Sequence, residues 1–251
     1  MSETLLPIPK TYLEKLLKPV SRLTESCILK VSKDTLYTVC TPADNSLILY
    51  GKTKLPLELE DSKLNIINIK KFLTGLSCLG DDGEFTISIN INNIECRNNN
   101  ETIGENTYFQ YHLVDDGIIK ESSVNVQKIA KLNFDTEFEI TQEKIKKIIN
   151  AYSFVSDVSK IYFFSQDGKI NCEINDKTMQ NVDNLSMVLT DKVVGEDITK
   201  PLPINIEVFK NLISSKAPVK VKLNNEYKVF VFQAQEDENV ELKYIVSALV
   251  K

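Results

Sequence analysis

The chain carries a single histidine, His112, in the alternating run YFQYHLVDD. No cysteine cluster or His-Glu motif lies beside it, so neither a metal site nor a histidine base has partners at a usable spacing. Glycine is scarce as well. The eight glycines fall mostly at turns, and neither G-x-G-x-x-G nor the P-loop pattern occurs, which excludes the familiar Gly-rich phosphate cradles. Acidic pairs such as Asp81-Asp82 and Asp115-Asp116, and the run Glu236-Asp237-Glu238, read as turn and surface residues. The sequence therefore predicts no enzymatic activity, no cofactor and no metal. Cys27, Cys40, Cys78, Cys96 and Cys172 are odd in number and irregular in spacing, and no apolar run near the N-terminus reads as a signal peptide. Free thiols in a reducing, cytoplasmic compartment are the expectation. No stretch reaches the roughly 18 to 20 consecutive apolar residues that a membrane-spanning helix needs. Positive charge is in deficit too: 30 basic against 35 acidic residues give a net charge of −5. That argues against coating nucleic acid over the whole surface but allows a local basic face.

Such faces are what the chain does contain. In TQEKIKKIINAYSFV, residues 141–155, Thr141 can cap a helix whose Ile145, Ile148, Ile149 and Tyr152 recur at i, i+3, i+4 and i+7. Lys144, Lys146 and Lys147 lie off that stripe. Leu13, Leu16, Leu17 and Val20 repeat the spacing with Lys15 in the place of Lys147, and Ile69, Phe72, Leu73 and Leu76 repeat it with Lys71 there. A fourth segment keeps it loosely through Ile206, Phe209 and Ile213, with Lys210 at an apolar position and Val208 where the lysine is expected. Helix one precedes helix three by about 132 residues and helix two precedes helix four by about 137, an internal repeat of half the chain.

Pro7 and Pro9 delay the first helix until Lys10, and Pro19 inside it predicts a kink or break before Val20. Strand-like runs follow at 27–31, 35–41, 46–53 and 55–59, separated by turns at KD and PADN. Asn68 caps helix two, which is expected to end at Gly80. Further strands are expected at 84–91, 94–97 and 108–114, and an ordered linker over 115–135. The second half restarts with a strand at Phe138 and Ile140, then helix three, then a hairpin of 160–164 and 169–174 around Gln166-Asp167-Gly168. A strand at 185–190, helix four capped by Asn205 and stopped by Pro218, and a meander over 219–223, 227–233 and 240–249 complete it. The predicted organisation is two similar domains, 1–114 and 136–251, joined by the connecting segment 115–135.

Exposed helix positions favour lysine for propensity and solubility, which accounts for any one of these helices alone. In a net-acidic chain, four such faces together point to a shared positive surface. The residues are Lys15, Lys18 and Arg22; Lys70 and Lys71; Lys144, Lys146 and Lys147; and Lys210. Such a track matches phosphates, lacks base-reading side chains, and would bind a duplex loosely, without sequence choice and with salt sensitivity.

With this order of elements the chain resembles the DNA sliding clamps, most closely those of T4-like bacteriophages. The resemblance rests on Ile8 to Leu23 followed by Cys27-Ile28-Leu29-Lys30-Val31, on Leu64 to Gly80 followed by Asp81-Asp82, on FEITQEKIKKIINAYSFVS at 138–156, and on ELKYIVSALV at 241–250. It covers nearly the whole chain through the ordered sum of its parts. Pro19, Val208 and the Asn-rich stretch 98–106 depart from the pattern.

The resemblance implies an α+β, duplicated DNA-clamp fold: two similar domains of antiparallel sheet with two helices each, the helices lining the inside of a ring. It implies a homotrimer of six domains around double-stranded DNA, in which the edge strand with Tyr108, Phe109, Tyr111 and Leu113 pairs with that of Leu185, Met187 and Leu189 in the next subunit. A core or capped-edge role is the alternative for these strands. It implies a non-catalytic processivity factor that tethers a replicative DNA polymerase and is loaded by a clamp loader, in the host cytoplasm if viral. Partner peptides would dock near Ile118, Ile119, Val126, Pro203, Tyr244, Ile245 and Val246; ordinary interdomain packing is the alternative for half of them. The rival function is a β-rich virion structural or assembly protein with no DNA-encircling role.

Overall fold

In the computed structural model of the chain, the residues described are 4–81, 84–100, 105–124, 128–129, 131–155, 158–175, 183–212 and 217–249. They divide into two compact units. The first comprises Met1–Ala43, Leu49–Val124 and Asp237–Glu241, and the second Asp44–Ile48, Asn125–Glu236 and Leu242–Lys251.

The first unit begins with β1 (Thr4–Leu5) and α1 (Lys10–Leu23), with Pro9 in the N-cap position. Leu13, Leu16, Leu17 and Val20 are all 2% exposed or less, so the stripe at i, i+3, i+4 and i+7 is the buried face. Each such side chain contributes about 1.5–3 kcal/mol by leaving water. α1 runs unbroken through Pro19, contrary to the expected interruption. Pro19 is buried, and the Ser21 hydroxyl donates to the Lys18 carbonyl at 2.8 Å in the turn where the ladder lacks a donor. Next come β2 (Cys27–Cys40) and β3 (Ile48–Ile66), antiparallel to each other. A straight strand of β2's 14 residues would span about 45 Å. Yet Cys40 at its far end lies close enough to Cys27 at its start to help raise the Cys27 thiol. The run therefore turns back on itself at the expected KD turn, where Lys33 has φ 53° and the pairing with β3 shifts register.

α2 (Ile69–Cys78) is capped by Asn68, whose side chain accepts from the Lys71 N–H at 2.8 Å. It ends two residues before Gly80. The buried Lys10 ammonium closes that end by donating to the Leu79 carbonyl and to Asp81 Oδ1 at 2.7 Å. α1 and α2 pack together. β4 (Glu84–Ile89), β5 (Asn93–Asn100) and β6 (Glu105–His112) form an antiparallel meander, and β1 adds to it in the order β1-β4-β5-β6. The Asn-rich stretch is strand at its margins, with Asn99 opposite Asn106. Residues 101–104 lie outside those described.

The second unit repeats the order. β7 (Thr136–Ile140) leads into α3 (Gln142–Phe154), whose cap Thr141 accepts from the Lys144 N–H at 3.3 Å. Ile145, Ile148 and Ala151 are its buried residues, so the face turns slightly away from Ile149 and Tyr152. β8 (Lys160–Gln166) and β9 (Lys169–Ile174) form the expected hairpin. Asp167 and Gly168 both have positive φ, 52° and 69°, the geometry of a two-residue type I′ turn. β10 (Leu185–Thr190) and the unanticipated β12 (Leu202–Asn205) flank them in the order β10-β9-β8-β12. Pro203 masked β12 in the sequence, yet an edge strand tolerates it. β11 (Val193–Gly195), likewise unanticipated, pairs with β7.

α4 is only Val208–Leu212, with Asn205 Oδ1 accepting from the Glu207 N–H at 2.9 Å before it. Ile213, the last residue of the expected stripe, lies outside the described residues. Val208, at the position where the repeat places an outward lysine, is 1% exposed and belongs to the core, while Lys210 points to solvent like the other cations of the expected basic face. β13 (Val219–Asn224), β14 (Val229–Asp237) and β15 (Val240–Ser247) form the closing meander, and β7 pairs with β13 as β1 pairs with β4. Phe163, fully buried, gathers Phe138, Phe209, Phe230 and Phe232 with ring centroids 5.3–6.4 Å away. Strand, helix, strands, helix, three-strand meander thus occurs twice, which makes the chain a duplicated α+β fold.

Candidate nucleic-acid interface

Burial of the apolar stripes fixes which helix positions face outward. On α1, Lys18 and Arg22 are exposed and Lys15 is half-buried; on α2, Lys70 and Lys71 are exposed. Because α1 and α2 pack together, these cations belong to one two-helix layer. On α3, Lys146 and Lys147 are exposed, whereas Lys144 is half-buried and donates to the Val188 carbonyl of β10 at 2.7 Å. Lys210 stands exposed on α4, which packs on α3.

The outward faces are not purely positive, as the sequence had suggested for α3. Lys18 is paired with Glu14 at 2.6 Å, Lys147 with Glu143 at 2.6 Å, and Lys210 with Glu207 at 2.8 Å. Glu143 is held below its ordinary value by hydrogen bonding to Lys147. Partial burial pushes Glu207 up, but hydrogen bonds from Lys210 and Tyr152 outweigh it and leave the carboxyl lowered. The Tyr152 hydroxyl donates to Glu207 Oε1 at 2.8 Å, and the Lys210 ammonium lies 4.7 Å from the Tyr152 ring centroid. These glutamates were missed in the sequence. The signal was available: each precedes its lysine by three or four residues, the spacing at which helix side chains meet.

Each four-stranded sheet has two end strands, β1 and β6 in the first and β10 and β12 in the second; the strands expected to pair between subunits are β6 and β10. Their side chains alternate. Tyr108 is 65% exposed beneath the Arg97 guanidinium, while Phe109 and Tyr111 turn inward onto Phe72, with ring centroids 5.8 and 5.1 Å away. The Tyr111 hydroxyl accepts from the Asn68 N–H at 2.9 Å, and Leu113 is half-buried. On β10, Leu185 and Met187 are half-buried, Leu189 is buried, and Val188 faces out.

Of the expected peptide-pocket residues, Ile118 is 62% exposed and Ile119 is buried, both in the first unit. Val126 lies outside the described residues. Pro203, Tyr244, Ile245 and Val246 are buried in the second unit, and the Tyr244 hydroxyl donates to the Asn211 carbonyl at 3.2 Å. A cleft of about 570 Å³ that the sequence did not signal opens in the first unit among Lys30, Asp61, Lys63, Asn65 and Ile91. The Glu121 carboxylate bridges Lys30 and Lys63. Among the described residues no group of three or more His, Cys, Asp or Glu could hold a metal ion, and no helix is long and apolar enough to cross a membrane.

No family model and no curated protein matches the sequence. Solved structures do match the fold. Proliferating Cellular Nuclear Antigen from Entamoeba histolytica aligns with a TM-score of 0.74 and 13% identity over 96% of each chain. The protein of the same name from Thermococcus kodakaraensis gives 0.74 and 14%, over 98% of this chain and 99% of that one. A protein assigned as a DNA polymerase III beta subunit from Eubacterium rectale gives 0.72 and 15%; the match takes in all of this chain and spans 66% of that chain's length. The chain has the duplicated α+β fold of the sliding clamps.

Proposed function

We propose that this chain is a sliding clamp: a non-catalytic processivity factor that encircles duplex DNA and tethers a replicative DNA polymerase. The observation that carries the reading is the likeness to proliferating cellular nuclear antigen along 96% of both chains. In this reading the chain has domains 1–114 and 136–251 joined by 115–135, and three copies close a six-domain ring with the helices inward. β6 of one subunit pairs with β10 of the next, which satisfies the open backbone of both edges. Exposed cations of the helices meet phosphates without reading bases, so the ring slides, and topology rather than affinity retains it. A clamp loader opens it, and partner peptides dock beside the exposed Ile118. The order of elements and motifs resembles that of the T4-like bacteriophage clamps, and in this reading the protein works in the cytoplasm of an infected cell.

The test is mass followed by topology. Light scattering after size exclusion should give three chains, and the protein loaded on a nicked circle should be lost when the circle is linearised. A dimer, an open polymer, or equal retention on circular and linear DNA would rule the ring out.

A further inference from the structure

The three ion pairs on the outward helix faces share one design. In each, a glutamate lies three or four residues ahead of its lysine: Glu14 before Lys18 in α1, Glu143 before Lys147 in α3, and Glu207, in the turn just before α4, ahead of Lys210. Two of the carboxylates are also held from a second side. Glu14 lies 3.8 Å from the buried Lys10 ammonium, and Glu207 accepts the Tyr152 hydroxyl. Holding a carboxylate from two directions makes it harder for a phosphate to displace it than in a lone surface pair. Arg22, Lys70, Lys71 and Lys146 differ. Among the described residues their side chains have no ion pair, and α2 contains no acidic residue at all.

We propose that Glu14, Glu143 and Glu207 are built-in counter-anions that withdraw Lys18, Lys147 and Lys210 from the DNA-binding charge, leaving Arg22, Lys70, Lys71 and Lys146 to carry it. The inference rests on the clamp reading and deepens it. A lysine already neutralised by its own glutamate displaces no counterion from a phosphate, so it adds nothing to the salt dependence of binding. A ring held by topology gains from this, because each phosphate contact removed lowers the friction of sliding while closure still prevents escape.

Salt dependence counts phosphate contacts directly: the slope of log K against log salt changes by about 0.9 per contact on duplex DNA. Full-length protein would be titrated with a short duplex across a salt series. Replacing the three carboxylates together, Glu14→Gln, Glu143→Gln and Glu207→Gln, is expected to steepen the slope by at least about 0.9. Adding Lys18→Gln, Lys147→Gln and Lys210→Gln to that variant is expected to return the wild-type slope. An unchanged slope in the glutamate variant overturns the proposal. So does a slope flatter than wild type in the six-fold variant, since the paired lysines would then have been contacting phosphates. A purely helix-stabilising role would move the melting temperature and leave both slopes alone. Wild-type protein with no salt-dependent DNA binding would instead overturn the clamp reading itself, and the inference with it.

Discussion

Phe109 of β6 lies so close over Gly75 of α2 that a methyl group on Gly75 would sit 2.8 Å from the ring's Cε2. Phe72 meets the same ring edge-on, so an edge strand proposed for subunit pairing is positioned by a glycine in the helix beneath it. Gly75→Ala gains up to about 1 kcal/mol of helix propensity. Against that stands overpacking of about 1–3 kcal/mol, because the aromatic side chain must move to admit the methyl. Net destabilisation of about 1 kcal/mol is expected, read as a lower urea midpoint at unchanged m-value, together with weaker assembly at low protein concentration. Phe109→Leu in the same background should recover part of the loss. Equal midpoints for Gly75→Ala and wild type would show that the contact carries no strain.

That contact also marks where the sequence was legible. The stripe Ile69, Phe72, Leu76 announced α2 and its buried face, because a 3.6-residue period is local information. The role of Gly75 inside the helix carried no signal in the sequence, since its partner Phe109 lies more than thirty positions away in the chain. The same division holds elsewhere. Leu13, Leu16, Leu17 and Val20 fixed α1, whereas Pro19 predicted a disruption that tertiary burial overrode. In α4 the pattern was loose, with Val208 where an outward lysine was expected and Lys210 counted among the outward cations. Five residues are too few for periodicity to set a phase, and packing buries Val208 while leaving Lys210 exposed. The cations of the candidate site were visible singly. Their pairing with Glu14, Glu143 and Glu207 is legible in the three- and four-residue spacing of opposite charges and not in the sum of charge on each helix.

The C-terminal end of α2 depends on a side chain from α1. Lys10 is 8% exposed, and its ammonium donates to the Leu79 and Gly80 carbonyls and to Asp81. Lys10→Met keeps the aliphatic stem and leaves the Leu79 acceptor without its lysine, a loss of about 1–3 kcal/mol. The Asp81 carboxyl is held below its ordinary value of 3.8 by its hydrogen bond to Lys10. A lowered folded value means that its contribution is fully present above 3.8 and is lost as the pH falls through the folded value. Asp81 is fully exposed, so this acid-side effect should be slight beside the carbonyl loss. Urea midpoints at neutral pH and near pH 3 should differ less in Lys10→Met than in wild type, and a larger difference would contradict the pairing.

The five cysteines separate sharply by access. Cys78 is exposed at the end of α2, whereas Cys27, Cys40, Cys96 and Cys172 are buried. Burial pushes all four buried thiols up, Cys96 and Cys172 to about 12. Since the thiolate is the reactive form, a disulfide reagent at neutral pH should titrate one thiol in the folded protein and five in denaturant. Cys78→Ser should abolish the fast phase and change stability by less than about 0.5 kcal/mol. Rapid reaction of a second thiol would mean that one of the sheets opens on the time scale of labelling.

Tyr244 and Ile118 were both expected to contact a partner peptide, and their environments set them apart. Tyr244 is fully buried with its hydroxyl on the Asn211 carbonyl, while Ile118 is 62% exposed. Removing one buried hydrogen bond costs about 0.5–1.5 kcal/mol, so Tyr244→Phe should lower the urea midpoint. It should leave the affinity for a C-terminal polymerase peptide unchanged, because no face of the ring is open to a ligand. Ile118→Ser should do the reverse. An exposed isoleucine contributes little to the folded state, but its apolar surface is available to a peptide, and its loss should weaken binding by about 1–3 kcal/mol with stability within about 0.5 kcal/mol of wild type. Fluorescence anisotropy with a labelled peptide and urea denaturation on the same samples separate the two effects. If Tyr244→Phe weakened peptide binding without loss of stability, the peptide would have to open the core around Asn211 to bind, and the exposed surface at Ile118 would not be the docking determinant.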